Sequence, residues 1–317
     1  MPSLRTSASP AALIAGGPRR GLGLTARERL LGYGLLLPTL LTVALVTVYP
    51  VLDGIRISFL RLKLTSPGPA RFVGLDNYAA LLRDDTFWQT LRTTAVWTAS
   101  NLVAQVALGT ALALLLNERL RARGVYRAAA LIPYVVPSVA AALIWRWLFD
   151  GSSGLINAAL VRLGVLDRFV PWLGEAGTAL PAVVLESVWK GTPFVMLVVL
   201  AGLQAIPREL YEAGALDGAT AAARFRYITL PLLRPTLGVA TILTAVYTVN
   251  NFNAIWLMTQ GGPLHSTEIL FTLAYKTAFQ RFDFGMAAAM SVVLFGLLAL
   301  ATAAYLFLVE RDEEVAL

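Results

Sequence analysis

The stretch Thr93–Asn117 reads TTAVWTASNLVAQVALGTALALLLN, 25 residues without a charge. It runs into Glu118-Arg119-Leu120-Arg121-Ala122-Arg123-Gly124-Val125-Tyr126-Arg127, where four of ten residues are arginine. AAALIPYVVPSVAAALIW then supplies another 18 uncharged residues over 128–145. A helix needs about 20 largely apolar residues to cross the hydrocarbon core of a bilayer. Two such runs joined by a tight arginine-rich turn predict a membrane hairpin whose turn lies in the cytoplasm, because Lys and Arg concentrate on that side. Four more runs qualify: Leu30–Leu52, Ala176–Pro207 broken only by Glu186 and Lys190, Pro235–Leu264, and Phe284–Val309. The end of the Pro235–Leu264 run, Gly261-Gly262-Pro263, must turn. The spacing predicts an all-α, polytopic membrane protein with six spans, at about 30–52, 93–117, 128–149, 178–206, 235–259 and 285–309. Period-2 alternation is lacking, which argues against a barrel.

Composition agrees. Of the 317 residues, 57% are hydrophobic and 14% charged, against about 45–50% and 25% in average soluble domains. Mean hydropathy is +0.67. Disorder, a disulfide scaffold and an ordinary soluble enzyme are excluded. Without cysteine there is no thiolate metal site or thiol nucleophile, and His265, the only histidine, rules out a multi-histidine metal site. The net charge of +7 points to orientation and anionic lipid rather than nucleic acid. With the N-terminus inside, cytoplasmic segments carry 14 Lys and Arg over roughly 75 positions and outer segments 11 over roughly 90. Both termini are therefore expected in the cytoplasm, residues 1–29 as a basic tail and 310–317 as a short end.

The loop between spans four and five, 207–234, has its own pattern. Pro207 precedes a short helical stretch, Arg208–Leu216, and Gly218 follows where positive φ is easily accommodated. A second helix is expected from about Thr220 to Thr229, broken or kinked by Pro231 and Pro235. Small residues at Ala213, Gly214 and Ala215 permit close approach of a partner. Glu212 is placed for a charge-assisted bond to an arginine on that partner.

Glu212-Ala213-Gly214-Ala215-Leu216-Asp217-Gly218-Ala219, with Phe225, Ile228, Leu230 and Pro231 following, resembles the cytoplasmic EAA loop of ABC importer permeases. The departure is Gly214 at the third position. Gly74-Leu75-Asp76-Asn77-Tyr78, Leu131-Ile132-Pro133, Trp189-Lys190-Gly191-Thr192-Pro193-Phe194 and Thr259-Gln260-Gly261-Gly262-Pro263 are similar to segments of the carbohydrate group (maltose, glycerol phosphate and related permeases). The resemblance implies an ABC importer permease fold in the plasma (inner) membrane of a prokaryote. Glu212, Ala213, Gly214, Asp217, Gly218 and Ala219 would then dock on a separate ATPase. It also implies a second permease subunit, two ATPase subunits that bind ATP and Mg, and an extracytoplasmic sugar-binding protein. This chain has no G-x-x-x-x-G-K-[ST] loop, so no cofactor and no enzymatic activity are expected of it.

Polar groups inside spans are costly and mark function by default. Thr244, Tyr247, Thr248 and Asn251 fall at i, i+3, i+4 and i+7, one helical face. Ser187, Lys190, Gly191 and Phe194 have the same spacing in span four. Hydroxyls and amides bond sugar hydroxyls, an aromatic ring packs on a pyranose face, and Gly191 would leave room for that ring. By resemblance these eight positions match the sugar-contacting face of the maltose permease. Cross-helix hydrogen bonding is the competing reading of such residues. Glu186 and Lys190, four apart, could form an ion pair. Pro38, Pro133, Pro137 and Pro193 are expected to kink or bound helices. Outside the bilayer, Asp76–Trp88 reads as an amphipathic helix, and Trp172, His265 and Phe282 are candidate contacts for a binding protein. A lone loop histidine such as His265 otherwise reads as incidental. The rivals to a sugar permease are an ion-gradient-driven secondary transporter and a membrane scaffold.

Overall fold

A computed structural model describes residues 26–66, 68–118 and 121–314. Most of the expected N-terminal tail and the last residues of the C-terminal end lie outside the described residues. Among those described, five helices are long and apolar enough to cross a membrane, or six if one sharply bent pair is a single span.

Residues up to Asp53 form a unit of their own. It holds α1 (Ala26–Val43), a wider π-helical turn at Ala44–Val48, and the start of α2 (Tyr49–Ser58). Pro38 lies inside α1. Leu35 and Val46 are among many exposed apolar side chains here, the pattern of a helix whose solvent is lipid.

The second unit, from Gly54 on, holds the rest. A two-residue antiparallel pair, β1 (Leu60–Arg61) and β2 (Arg71–Phe72), precedes α3 (Asp76–Leu82) and α4 (Asp85–Asn117). The amphipathic helix expected over Asp76–Trp88 is thus divided: Asp84 accepts a hydrogen bond from the Thr86 N–H and caps a new helix. Leu81 is buried while Leu75 and Leu82 are exposed. Next come α5 (Arg123–Val135), α6 (Ser138–Leu148), α7 (Leu155–Arg162), α8 (Ala176–Ala205), α9 (Arg208–Leu216), α10 (Ala221–Arg224), α11 (Leu230–Val249), α12 (Phe252–Met258), α13 (Leu270–Phe279) and α14 (Phe284–Glu314).

The centre of this unit is α4 against α8. The buried stripe of α4 runs from Phe87 to Leu116, spaced three or four apart, and its middle is Thr90, Thr94, Trp97, Asn101, Gln105, Gly109 and Ala113. Apart from Trp97, that middle is polar or small where a soluble helix would be apolar, because in lipid close backbone approach and hydrogen bonds hold helices together. A Cβ on Gly109 would lie 2.6 Å from Cβ of Val195, so only glycine allows this approach. Ala113, Leu116, Val199, Leu203, Ile206 and Leu233 form one apolar cluster that joins the ends of α4, α8 and the start of α11.

Two spans are broken. α5 and α6 meet at 91°, so the segment expected as one span over 128–149 bends at Val136-Pro137. Proline forces its predecessor out of the helical region, and Val136 has ψ 129. Pro133 and Pro193, by contrast, sit inside helices. The second break is at Asn250-Asn251, between α11 and α12. Of the break or kink expected at Pro231 and Pro235, the break does not occur. α10 continues through a π-helical turn, Phe225–Thr229, into α11. The wider turn relieves the clash that a proline makes with the carbonyl of the preceding turn.

Gly109→Val should lower the stability of the detergent-solubilised protein by about 1–3 kcal/mol through overpacking, read as a fall in thermal midpoint. Gly177→Ala meets nothing within 4 Å and should stay within about 0.5 kcal/mol of the parent. Equal midpoints would remove the α4–α8 contact from the centre of the fold.

Candidate functional site

A cavity of about 470 Å³ lies between α4, the α5–α6 bend, α8 and the α11–α12 break. Ser187, Lys190, Gly191, Phe194, Thr244, Tyr247, Thr248 and Asn251 all line it. The geometry differs from the expected single face. Asn251 is not on the helix that carries Thr244 and Tyr247. It sits in the break and caps α12, its Oδ1 accepting from the Ala254 N–H at 3.4 Å. Its Nδ2 lies 3.4 Å from Ser187 Oγ, which links the two expected groups. Thr244 and Thr248 are buried, whereas Tyr247 is 67% exposed. Phe194 stacks with Tyr134 at 6.3 Å and meets Tyr247 edge-on at 5.9 Å, making one aromatic wall.

Gln105, Tyr134, Ser138 and Asn253 also line the cavity. Gln105 was legible in principle, as an amide inside an uncharged run. Tyr134 and Ser138 reach the cavity only because the bend at Pro137 turns them there. Gly191 serves a different purpose from the one expected. A Cβ there would overlap the Gln105 side-chain amide, so the glycine makes room for Gln105 rather than for a sugar ring. Gln105 donates to Asn101 Oδ1 at 3.0 Å and to the Ser187 carbonyl at 3.3 Å.

Lys190 and Glu186 do not pair. Lys190 Nζ donates to the Val136 carbonyl at 2.5 Å, the acceptor freed by the α5–α6 bend. Glu186 is buried, and its Oε2 has no partner among the described residues. The i,i+4 spacing is satisfied, but the orphan carbonyl is the better-placed partner. At the second break, Trp97 Nε1 donates to the Thr248 carbonyl at 2.9 Å and Asn250 Nδ2 to that of Val246 at 2.8 Å.

The second candidate element is α9. Pro207 is its N-cap, and Gly218, at φ +77, ends it. The Ala219 N–H donates to the Gly214 carbonyl at 2.8 Å. Tyr211 shares a hydrogen bond with Thr229 at 2.9 Å. A Cβ on Gly214 would lie 3.1 Å from Ile228 Cδ1, so this small residue packs on its own chain instead of facing outward as expected. Glu212, Ala213, Asp217 and Gly218 are exposed. So is Leu216, at 89%, a residue the sequence reading passed over.

At the other end, Thr259–Lys276 is organised by Glu268. The buried carboxylate accepts from Thr272 Oγ1 at 2.7 Å and Lys276 Nζ at 2.5 Å, and lies 3.3 Å from His265 Nδ1. His265 is therefore part of a network rather than incidental. Trp172 is half-buried and donates to Asn157 Oδ1 at 3.0 Å, while Phe282 is 44% exposed. The Ser152 hydroxyl, with the backbone N–H groups of Ser152 and Ser153, holds the Asp150 carboxyl well below the ordinary carboxylate range.

The sequence profile of the binding-protein-dependent transport system inner membrane component family matches residues 105–311, and the chain belongs to that family. It is thus a multi-pass membrane component of a transport system and not an enzyme. It is 41% identical to the trehalose/maltose transport system permease protein MalF of Thermococcus litoralis over 280 residues, 88% of this chain and 94% of that protein. It is 38% identical to the sulfoquinovosyl glycerol transport system permease protein SmoG of Agrobacterium fabrum, covering 93% and 96% of the two chains. Its fold is similar to that of a chain in the crystal structure of a bacterial ABC transporter that imports the acidic polysaccharide alginate, with a TM-score of 0.77, 22% identity, and coverage of 90% of this chain and 96% of that one.

Glu268→Ala should destabilise the protein by about 3–5 kcal/mol, because it strips a buried pair of one partner. Replacing both members, as Glu268→Leu with Lys276→Met, should recover much of that loss. Thermal unfolding in detergent reads both, and a double variant no better than the single one would contradict the pairing.

Proposed function

We propose that this chain is the permease subunit of an ATP-driven sugar importer. It forms half of the translocation pathway and couples through α9 to a separate ATPase. The observation that carries this reading is the cavity between two broken spans, lined by hydroxyls, amides and an aromatic wall. Such a lining suits a polyhydroxylated solute: hydroxyls and amides exchange hydrogen bonds with sugar hydroxyls, and aromatic rings cover apolar C–H faces. The names of the two relatives, permeases for trehalose/maltose and for sulfoquinovosyl glycerol, support a carbohydrate as cargo.

The arginine-rich turn after α4 and helix α9 lie at the same end of the spans, joined by the cluster of Leu116, Leu203 and Ile206. In this reading that end is cytoplasmic, with both chain termini on the same side. α9 offers a helix end, an exposed Leu216 and the carboxylate of Glu212 to a groove on the ATPase. A second permease subunit completes the pathway, and a sugar-binding protein docks at the opposite end, where Glu268 holds the loop. ATP and Mg belong to the ATPase subunits. ATPase closure shifts α9. The shift passes through the Tyr211–Thr229 bond and the Gly214–Ile228 contact into α10–α11, and so to the cavity.

Leu216→Asp combined with Glu212→Ala should reduce sugar-stimulated ATP hydrolysis by the reconstituted complex at least about tenfold, the equivalent of about 1.4 kcal/mol, with the permease still inserted. Unchanged stimulation would sink the docking role. Within the cavity, Tyr247→Ala and Asn251→Ala should lower uptake at limiting substrate about 2- to 10-fold each, as expected for loss of a neutral hydrogen bond of about 0.5–1.5 kcal/mol. Val239→Ala, on an exposed position of α11, is the control. Equal uptake by all three in proteoliposomes would make the polar groups helix-packing contacts instead.

A further inference from the structure

A larger cavity, about 770 Å³, lies at the end of the spans that bears α9. Arg123, Arg127, Arg208 and Arg224 line it, against one carboxylate, Glu118. Two of these arginines come from α5 and two from the consecutive helices α9 and α10, about 80 residues later, so the fold gathers them. None of the ion pairs Arg61–Asp76, His265–Glu268 and Lys276–Glu268 involves these groups. Arg127 Nη2 donates to the Leu116 carbonyl at 3.0 Å, while its Nε is buried without a partner. The remaining wall is mixed: Asn117, Gln204, Tyr211 and Thr229 add polar groups, and Leu114, Leu203 and Ile206 form an apolar strip within it.

A solvated basic face would be convex and wet. Here four arginines line one concave site beside an apolar strip, and Arg127 Nε is a buried donor without an acceptor. Guanidinium binds phosphate oxygens in a two-pronged fashion, and basic pockets between spans on the cytoplasmic side hold anionic headgroups. We propose that this cleft holds the phosphate of an anionic phospholipid, with its glycerol and first acyl carbons on the Leu114–Leu203–Ile206 wall. A free phosphorylated solute shares the phosphate chemistry but would gain nothing from that wall. Arg208 opens α9 and Arg224 lies in the last turn of α10, so the lipid braces the segment that carries the coupling helix. That consequence rests on the function proposed above; the binding itself does not.

The test is a titration of the purified, delipidated transporter complex with fluorescent phosphatidylglycerol and, separately, phosphatidylcholine. Saturable binding of phosphatidylglycerol alone is expected. It should be about 30-fold weaker in Arg123→Gln/Arg224→Gln, at about tenfold or less per basic residue. Arg162→Gln/Arg168→Gln, on the opposite end, should bind like the parent. Arg123→Lys/Arg224→Lys keeps the charge should the glutamine variant fail to assemble, and is expected to bind several-fold more weakly than the parent. Equal affinity of the parent and either cleft variant would overturn the proposal. So would displacement of the lipid by glycerol phosphate or inorganic phosphate at comparable concentration, which would make the cleft a soluble-anion site. Sugar uptake is read on the same complex: its failure in the parent would undo the transport reading and leave the lipid result standing.

Discussion

Two spans break inside the apolar part of this protein, and each break frees backbone groups that hydrocarbon cannot satisfy. The rest of the structure depends on how they are paired. Lys190 reaches from α8 to the Val136 carbonyl at the first break. At the second, the Thr248 carbonyl accepts from the Asn251 N–H at 3.1 Å and also from Trp97 of α4. Both side-chain donors are placed by the close α4–α8 contact, which in turn needs Gly109 and Gly191. Irregular backbone is tolerated at this depth only when buried in protein or lining a cavity. Here it does both, and the polar cavity is the space between the two breaks.

The same arrangement gives the proposed coupling a physical route. α11 carries Thr244 and Tyr247 into the cavity and is continuous, through the π-helical turn, with the helix against which α9 rests. Packed helices transmit displacement as rigid bodies because interiors are dense. In the proposed function, a push on α9 would travel along α10–α11 toward the cavity. The Glu268 network gives the opposite end comparable definition by tying His265, Thr272 and Lys276 to one buried carboxylate.

Much of this was legible in the sequence. Uncharged runs located the long helices, and Pro207 and Gly218 bounded α9 through φ restrictions that hold in any context. All eight candidate pathway residues reach one cavity because polar groups in a span have few other places to go. What was not legible depended on tertiary partners. Spacing alone could not tell that Lys190 would choose an orphan carbonyl over Glu186, since that carbonyl exists only once Pro137 bends the chain. Asn251 was placed on a continuous helix because periodicity does not register a break that Trp97 and Asn250 make affordable. The small residue at Gly214 suggests a face for a partner, yet Ile228 fills the space beside it. Leu216 drew no notice as one leucine among many, and only its 89% exposure sets it apart.

The central claim is that a sugar pathway in this chain is driven through α9 by ATP hydrolysis on another subunit. The native chain has no cysteine, so Leu216→Cys provides a single reactive position. The most direct measurement is uptake of labelled sugar into proteoliposomes containing the complete complex with this substitution, before and after alkylation by a bulky, membrane-impermeant thiol reagent on the α9 side. The account predicts ATP-dependent uptake that alkylation abolishes. Uptake sustained by an ion gradient without ATP, or unaffected by alkylation at position 216, would contradict it.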